Sequence, residues 1–472
     1  MTYPMQIGGK SRESGKADTI TNPYNGQPVG EVFVGGDQDM DDAIQAASQA
    51  FEVTRRMPSH ARIGILERTA SALEERREEI ATLMTQESGK PIRFSRGEVK
   101  RAVITFRLGA AEVSRPTGEV LPIDLEARSE GRLCLHSSMP RGPVAAISPF
   151  NFPLNLIAHK LSPAIAIGTS TVLKPPPQCP LTGHVLGQIL AEAGLPAGAL
   201  NVLHCSPATA QRMVVDDRMK VLSFTGSDVV GWELKRLAGR KQVLLELGGN
   251  APCVLDEGTD LDQCLPSILT GAWAHAGQVC IKIQRIFVHR SLYDDFLARF
   301  VEGTRKLACG DPMKDETVVG PLIEAKHVER VLDWVREAQS AGATLHCGGE
   351  ADGQVVQPTI LTDVPHDQKV CKDEVFGPVT VVEPFDSFDE ALAICNAGRF
   401  GLQAGIFTKD LARALKAFRE LDYGGILIND IPTFRVDNMP YGGSKDSGFG
   451  REGVRFAMDE MSEPKLLMMR GL

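Results

Sequence analysis

The chain has 472 residues, enough for about three structural units of ordinary size. Hydrophobic residues make up 43% of it and charged residues 24%, which excludes a disordered, collagen-like or coiled-coil protein. Acidic side chains outnumber basic ones, 60 to 51, and no basic cluster is present that would bind a phosphate backbone. We therefore expect no nucleic-acid partner.

The N-terminal sequence lacks the basic segment and apolar stretch of a secretory signal, and no apolar run approaches the ~20 residues that span a bilayer. These features predict a cytoplasmic protein without a membrane partner. The ten cysteines form no CxxC pair and no cysteine–histidine cluster with zinc-ligand spacing. Most are therefore expected to be buried thiols, and no metal site is predicted.

The first ~115 residues are predicted to be mostly helical after a short extended start, because apolar residues recur at spacings of three and four. From Arg132 onward, short apolar or β-branched runs alternate with helix-like stretches, which is typical of βαβ units and a mostly parallel sheet. The pattern continues after Gly248 and favours a second α/β domain. The runs RLCLHSS and KLLMM are expected to pair as exposed strands that need a partner.

Three polar residues in apolar surroundings are candidates for catalysis. Cys280 in AHAGQVCIKIQR is flanked by small residues that leave a thiol accessible as a nucleophile. Glu246 in VLLELGGN ends an apolar run, and burial would raise its pKa toward that of a general base. Asn151 in ISPFNFP follows a strand and is able to donate to a developing oxyanion. A structural thiol, a strand-end carboxylate facing water and an Asx turn are the respective alternatives.

A glycine-containing turn is a candidate phosphate site. In SFTGSDVVG, Gly226, Ser227 and Gly231 follow a strand and open a predicted helix. Such a turn suits a dinucleotide pyrophosphate, although the pattern is not GxGxxG.

These segments, taken in order, resemble the aldehyde dehydrogenase superfamily over nearly the whole chain. Seven motifs carry the resemblance: ISPFNFP, VLKPPPQCP, SFTGSDVVG, LELGGN, GQVCIKIQR, EVFGPV and MPYGGSKDSGFGREG. The resemblance implies that the Cys280 thiolate attacks an aldehyde, while Asn151 and the Cys280 N–H hold the oxyanion. Hydride then passes to a nicotinamide, and water activated by Glu246 hydrolyses the thioester. Lys160 matches a family lysine near the nicotinamide.

The resemblance also implies the cofactor contacts. Lys174 would bind the adenosine ribose, and Ser227, with Gly226 and Gly231, would contact the pyrophosphate. Glu374 would bind the nicotinamide ribose, Phe376 would brace that end of the cofactor, and Phe150 would also bind the cofactor. The cofactor is expected to be NAD or NADP.

Two positions depart from the commonest family pattern. Where NAD-preferring members often carry a glutamate that repels a 2′-phosphate, this chain has Pro177, so we expect NADP to be accepted. Before the nucleophile stands Val279 rather than the arginine of relatives that act on phosphorylated aldehydes, which argues against a phosphorylated substrate.

Three further residues match positions that contact substrate anions in relatives. Arg107 and Arg435 are predicted to clamp a carboxylate, sulfonate or phosphate, and His159 to meet the same anion. Surface ion pairing and simple packing are the alternatives. The expected substrate is a small polar aldehyde of the lactaldehyde, glyceraldehyde or short semialdehyde type.

The resemblance implies an α/β fold with a Rossmann-like cofactor domain, a second α/β catalytic domain and a small β-strand oligomerisation extension. The predicted ranges are 1–116 with 137–247 for the cofactor domain, 248–444 for the catalytic domain, and 117–136 with 455–472 for the oligomerisation strands. We expect a homodimer or homotetramer. A CoA-acylating dehydrogenase, a thiol hydrolase without redox chemistry and an inactive structural protein of the same fold remain alternatives.

Overall fold

A computed structural model describes residues 1–13, 15–115 and 117–471. The predicted domain boundary at residue 116 and the last residue of the predicted C-terminal strand, 472, lie outside the described residues. In the described part of the chain, no helix is both long and apolar enough to cross a bilayer.

Before residue 150 the α-helices follow one another without strands between them. After residue 150 they mostly alternate with strands. They are α1 (Asp37–Thr54), α2 (Ser59–Glu75), α3 (Arg77–Ser88), α4 (Ile92–Glu112), α5 (Asn155–Ile167), α6 (Leu181–Glu192), α7 (Pro207–Val215), α8 (Asp228–Leu237), α9 (Leu261–Trp273), α10 (Tyr293–Arg305), α11 (Ala325–Ser340), α12 (Lys369–Lys372), α13 (Phe388–Ala397), α14 (Leu411–Glu420) and α15 (Val454–Glu460).

The strands are mostly short. They are β1 (Thr2–Tyr3), β2 (Met5–Ile7), β3 (Lys10–Arg12), β4 (Ala17–Thr21), β5 (Pro28–Gly35), β6 (Gly118–Leu121), β7 (Arg132–Pro140), β8 (Val144–Ile147), β9 (Thr171–Lys174), β10 (Leu200–Val202), β11 (His204–Cys205), β12 (Val221–Thr225), β13 (Gln242–Glu246), β14 (Ala251–Leu255), β15 (Ile283–His289), β16 (Thr344–Cys347), β17 (Ala351–Asp352), β18 (Val355–Val356), β19 (Thr359–Thr362), β20 (Val379–Phe385), β21 (Phe400–Gly401), β22 (Gln403–Phe407), β23 (Gly425–Ile428), β24 (Ser444–Lys445), β25 (Gly448–Phe449) and β26 (Ser462–Arg470).

The first large sheet has the order β25-β13-β12-β8-β9-β10-β2-β3. Its five central strands are parallel, so their carboxyl ends meet at one edge. Helices such as α5 and α6 are buried along almost their whole length, and their apolar side chains form one core with those of the sheet. The predicted α/β fold is confirmed.

The second large sheet has the order β16-β19-β20-β15-β14-β22-β23, and all its pairs except β16–β19 are parallel. It has its own apolar core, in which Trp273 stacks on Phe300. Cys280 lies in the segment that leads into β15, near the carboxyl-terminal residue of β13, Glu246. The two sheets therefore bring the candidate nucleophile and the candidate base together.

A third sheet consists of β26, β7 and β6, all antiparallel. The C-terminal strand pairs with β7 along its full length, from Ser462 opposite Pro140 to Arg470 opposite Arg132. The predicted pairing of these two runs is confirmed. Leu466, Leu467 and Met468 are each about half exposed on it.

One stripe of apolar residues, from Ile63 to Met84, is shared by two helices. The helices α2 and α3 are separated at Arg76, whose ψ of 20° leaves the helical range. The stripe persists because both helices bury their apolar side chains in the same core.

Candidate active site

The segment before Cys280 is a tight turn with an unusual backbone. His275 and Ala276 both have φ of 54°, and Gly277 has φ of 68°. A Cβ on Gly277 would overlap the carbonyl oxygen of Gly377, so only glycine fits there. Gln278 anchors the end of the turn, since its Oε1 accepts from the Ile323 N–H at 3.0 Å. The turn therefore fixes where Cys280 lies.

Cys280 is in contact with a tyrosine. The distance between Cys280 Sγ and Tyr441 Oη is 2.9 Å. Burial raises the pKa of the Cys280 thiol to about 11, while the Tyr441 hydrogen bond and the charge of Arg435 act to lower it. Thiolate formation at neutral pH therefore needs further positive charge nearby.

Asn151 lies beside this turn. Its Nδ2 donates to the carbonyl oxygen of Gln278 at 3.0 Å, and the residue is 3% exposed. Lys90 Nζ donates to the Asn151 carbonyl oxygen at 2.9 Å and holds the backbone from the other side. Because an amide nitrogen has two hydrogens, one remains to donate to an oxyanion formed next to Cys280.

Glu246 is buried at the carboxyl end of β13 and is 4% exposed. Its Oε2 has no hydrogen-bond partner among the described residues. Burial raises the pKa of Glu246 well above its ordinary value, and the negative charge of Glu452 adds to the rise. A Cβ on Gly442 would crowd Glu246 Oε1, so glycine there leaves room for the carboxylate. Glu246 thus has the properties of a tuned general base.

A buried ion cluster lies behind Glu246. Glu452 is 3.4 Å from Lys160 Nζ and 3.2 Å from Arg435 Nη2, and all three side chains are 6% exposed or less. Lys160 Nζ also donates to Thr225 Oγ1 at 2.7 Å. Although burial raises the pKa of Glu452, Lys160 and Arg435 lower it on balance, so Glu452 is ionised. The predicted site residue Lys160 therefore lies within this cluster.

A cavity of about 260 Å³ opens at Cys280. This volume is smaller than the roughly 300 Å³ at the lower end of common ligand sites, which suits a short substrate. Arg435 lines it, with its Cζ 3.6 Å from the centre of the Tyr441 ring and its Nε without a partner in the described residues. The lining combines cationic and apolar side chains: Lys90, Arg93, Phe94, Arg101, Phe152, Leu156, Val279, Ile281 and Arg435.

The structure contradicts two predicted substrate contacts. The Arg107 side chain is 55% exposed and pairs with Glu74 at 2.8 Å, away from the cavity. Six residues earlier on α4, which is a different face of a helix with 3.6 residues per turn, Arg101 does line the cavity. His159 is fully buried and lies 2.9 Å from Asp437, outside the cavity lining, so it is a packing residue. Arg435 is the predicted substrate residue that reaches the cavity.

Three residues that line the cavity were not predicted from the sequence: Tyr441, Arg101 and His275. Tyr441 lies in the motif MPYGG, and its hydroxyl group is the feature that could have marked it as a site residue. Arg101 lies on a helix with several arginines, so nothing local distinguishes it. His275 lies five residues before Cys280, and only its burial in the cavity wall marks it.

Phe150, Lys174 and Ser227 lie at or just beyond the carboxyl ends of three strands of the first sheet, β8, β9 and β12. Lys174 ends β9 and is 6% exposed, and its Nζ donates a long hydrogen bond, of 3.3 Å, to the Pro175 carbonyl oxygen. Burial lowers its pKa. Pro177 is exposed in the following turn. Ser227 is the N-cap of α8, and its side chain makes no capping bond. Spare donors beside a helix N-terminus fit the ribose and pyrophosphate of a dinucleotide.

Glu374 and two aromatic rings complete the set of predicted cofactor residues, which is called the cofactor groove. Glu374 accepts from the Gly249 N–H at 2.9 Å, and burial raises its pKa to about 8. Phe376 and Phe150 meet edge to face, with ring centres 5.7 Å apart. Gly231 lies against Leu247, where a Cβ would overlap the leucine side chain, so α8 packs closely on the sheet. Gly226 lies between the end of β12 and Ser227.

A family model described as the aldehyde dehydrogenase family matches residues 10–467. The chain belongs to the aldehyde dehydrogenase family. It is an NAD(P)-dependent oxidoreductase that acts on an aldehyde. The resemblance inferred from the motifs is thereby confirmed, and so is the expected use of NAD or NADP.

Three relatives of this aldehyde dehydrogenase are similar over nearly its whole length. A 3-sulfolactaldehyde dehydrogenase of Priestia aryabhattai is 40% identical, covering 99% of this chain and 98% of the relative. Aldehyde dehydrogenase 21 of Physcomitrella patens, solved in complex with its reaction product succinate, is 43% identical with a TM-score of 0.98, covering 99% and 98%. The glyceraldehyde-3-phosphate dehydrogenase GapN of Methanocaldococcus jannaschii, solved with NADP, is 37% identical with a TM-score of 0.93, covering 97% and 100%.

Proposed function

We propose that this aldehyde dehydrogenase oxidises a short aldehyde that carries an anionic group to the free carboxylic acid, with Cys280 as the nucleophile. The observation that carries the proposal is the position of Arg435. Its guanidinium lines the Cys280 cavity, its side chain is 6% exposed, and its Nε has no partner in the described residues.

The charges around the cavity favour an anion. Of the side chains that line it, Lys90, Arg93, Arg101 and Arg435 are cationic, and Glu98 is the acidic one, paired with Lys90 at 2.5 Å. Arg101 is bound on one side by Asp437, at 2.7 Å. A guanidinium binds carboxylate or sulfonate through charge-assisted hydrogen bonds, so the cationic Arg435, with its unpartnered Nε, suits either group.

Two of the relatives are consistent with this class. The name of the Priestia relative specifies a sulfonated aldehyde, and the Physcomitrella relative holds succinate, which has a second carboxylate. Val279 in place of arginine before the nucleophile still argues against a phosphorylated aldehyde.

In the proposed reaction the Cys280 thiolate forms a C–S bond to the aldehyde carbon, and the carbonyl electron pair moves to oxygen. Asn151 Nδ2 and the Cys280 N–H donate to that oxyanion. Bound NAD(P)⁺ supplies the hydride acceptor and the additional positive charge that favours the thiolate. The chain's own contribution at this stage is to hold the adduct between Asn151 and the Arg435 guanidinium.

The second half of the reaction belongs to Glu246. Its carboxylate takes a proton from water, the hydroxide attacks the thioester carbon, and the C–S bond breaks to release the acid and the thiolate. The unpartnered Oε2 of Glu246 is available to bind that water. Loss of that proton to solvent regenerates the Glu246 carboxylate for the next turnover.

Lys174, Ser227 and Glu374 are proposed to bind the cofactor. Pro177 is proposed to admit NADP, because no carboxylate at this position repels its 2′-phosphate.

We also propose that the domains have the ranges predicted from the sequence, and that the protein is a cytoplasmic homodimer or homotetramer. The exposed apolar side chains on β26 support assembly through this strand, because a pair of exposed strands usually binds a partner.

The test compares succinic semialdehyde with butanal, which has the same carbon chain and no anion, by reduced-cofactor formation at 340 nm. Arg435→Gln is expected to lower the ratio of kcat/KM for the two aldehydes about 10- to 100-fold, because a charge-assisted hydrogen bond is lost. Arg107→Gln is the matched control, since that arginine lies at the surface, and it should leave the ratio unchanged.

Equal losses with both aldehydes in Arg435→Gln would overturn the assignment of an anion site. The same assays with CoA present separate the acylating alternative: turnover without CoA, releasing free acid, is expected. Turnover that requires CoA would contradict hydrolysis by Glu246.

A further inference from the structure

Two oppositely charged side chains are buried close to Asn151 and have no role in the reaction proposed above. Lys90 lies between α3 and α4, Glu98 lies on α4, and their side chains are 1% and 0% exposed. The distance between Lys90 Nζ and Glu98 Oε2 is 2.5 Å. A buried ion pair adds little net stability, because the loss of hydration offsets the attraction, so stability is a weak explanation for this one.

The Lys90 ammonium group has three hydrogens and three partners. Its Nζ donates to Glu98 Oε2 and, at 2.9 Å, to the carbonyl oxygen of Asn151, and it lies 3.4 Å from the centre of the Phe152 ring. These partners account for every hydrogen, so Lys90 has none to offer a substrate anion although it lines the Cys280 cavity. Its contacts are instead with the segment that carries Asn151.

Glu98 binds the same segment farther along the chain. Its Oε1 accepts from the backbone N–H groups of Leu154 and Asn155, each at 2.9 Å, where α5 begins. The N-cap of α5 is Leu154, whose side chain has no acceptor, so the Glu98 carboxylate replaces the missing cap and also suits the helix dipole. The pair therefore holds the chain at Asn151 itself and at the helix that starts four residues later.

The backbone of Lys90 is fixed by the turn that precedes it. Gly89 has φ of 71°, and a Cβ there would overlap the rings of Pro321 and Pro23, so only glycine fits. The Lys90 N–H donates to Ser88 Oγ at 3.3 Å. The ammonium group is thus presented to Asn151 from a closely packed turn.

We propose that Lys90 and Glu98 are positioning residues that hold the Asn151 amide where it can donate to the oxyanion formed at Cys280. This inference rests on the proposed roles of Cys280 and Asn151. One hydrogen of Asn151 Nδ2 is used by the Gln278 carbonyl oxygen at 3.0 Å, and the other must point at the oxyanion. A misplacement of about 1 Å can cost about 100-fold in rate, so the backbone on both sides of the donor has to be held.

The experiment measures two reactions of Cys280 that differ in their need for an oxyanion site. With p-nitrophenyl acetate the thiolate bonds to the carbonyl carbon, an oxyanion forms and p-nitrophenolate then leaves. With iodoacetamide the same sulfur bonds to a saturated carbon as iodide leaves, and no oxyanion forms. Lys90→Met combined with Glu98→Gln removes both charges and leaves no unpaired ion in the core. It should lower the acylation rate about 10- to 100-fold and change the alkylation rate less than about twofold.

Two comparisons locate the effect. Arg107→Gln combined with Glu74→Gln neutralises an exposed ion pair between α2 and α4, and it should leave both rates unchanged. Asn151→Ala should reproduce the selective loss of acylation, by about 100-fold. Adding Lys90→Met and Glu98→Gln to Asn151→Ala should then lower acylation little further, because the pair acts through Asn151.

Equal losses of acylation and alkylation in the Lys90 and Glu98 variant would mean that the pair only supports the fold, and would overturn the proposal. An unchanged acylation rate, or a loss that adds fully to that of Asn151→Ala, would do the same. Normal acylation in Asn151→Ala would remove the oxyanion role of Asn151 and this inference with it. A failure confined to the Lys90 and Glu98 variant would leave that role intact.

A second variant covers the case in which the neutral pair does not fold. Glu98→Asp keeps both charges, but its side chain is one carbon shorter and cannot hold Lys90 and the start of α5 in the same geometry. Acylation should slow about three- to tenfold, and alkylation should stay unchanged. Equal slowing of both reactions, or of neither, would overturn the proposal.

Discussion

The ion cluster beside Cys280 is buried and tightly paired, whereas two of the residues proposed to bind the cofactor are exposed and a third makes a long hydrogen bond. Lys160, Arg435 and Glu452 are at most 6% exposed and form one ion cluster. Ser227 and Pro177 are exposed, and Lys174 donates a long hydrogen bond, of 3.3 Å, to the Pro175 carbonyl oxygen. A change in the cavity therefore disturbs several neighbours, while a change in the groove affects mainly the bound ligand.

The largest effect is expected for Cys280→Ser, because a serine hydroxyl cannot replace the thiolate as the nucleophile. Aldehyde oxidation should fall by about a thousandfold or more, whereas binding of NADP, measured by fluorescence quenching, should stay unchanged. Normal turnover would exclude Cys280 as the nucleophile, and lost cofactor binding would show that the two regions are not independent.

Glu246→Gln should lower steady-state turnover about 100-fold and leave one burst of reduced cofactor, because the thioester forms but is not hydrolysed. In the wild-type enzyme, deacylation requires the ionised carboxylate. Since burial raises the pKa of Glu246, the rate should fall as the pH drops through that raised value. Rapid mixing at 340 nm across a pH series measures both effects, and the variant should lose this limb of the profile.

Pro177→Glu tests the cofactor groove. A carboxylate at this exposed position should repel the 2′-phosphate, raising the KM for NADP about tenfold and changing that for NAD little. The matched comparison is Pro177→Gln, which has nearly the same shape without the charge. Equal weakening of both cofactors by the glutamate variant would contradict the repulsion argument.

The smallest effect is expected for Tyr441→Phe. The Cys280 pKa should rise because the Tyr441 hydroxyl, 2.9 Å from Sγ, lowers it. Alkylation of Cys280 by iodoacetamide at neutral pH should slow about three- to tenfold, as expected for the loss of one hydrogen bond. An unchanged alkylation rate, together with an unchanged pH profile, would mean that the contact has no effect on the thiol.

Much of the cofactor groove could be predicted from the sequence, because each of its parts is a short continuous segment of the chain. Strand, turn and helix N-terminus follow one another in SFTGSDVVG, so the sequence pattern alone places Ser227 at the start of a helix. The structure has Ser227 as the N-cap of α8, as this pattern predicts. Lys174 at the end of β9 follows from the same reasoning, since the carboxyl ends of parallel strands share one edge.

The cavity was predicted less well because its parts are distant in the chain. Arg101 and Arg107 lie on the same helix, and both are arginines among other charged residues. Only the packing of α4 against α5 and the cavity decides that Arg101 faces inward and Arg107 pairs with Glu74. His159 was predicted to meet substrate, but its contact with Asp437 joins residues 278 positions apart.

The sequence by itself determined the family, the alternation of strands and helices, and the identities of Cys280, Glu246 and Asn151 as candidates, because each depends on residue type and order. The tertiary structure decided which charges meet. It placed Arg435 and His275 in the Cys280 cavity and left Glu246 with a raised pKa, since burial and the distance between charges arise only when segments far apart in the chain pack together.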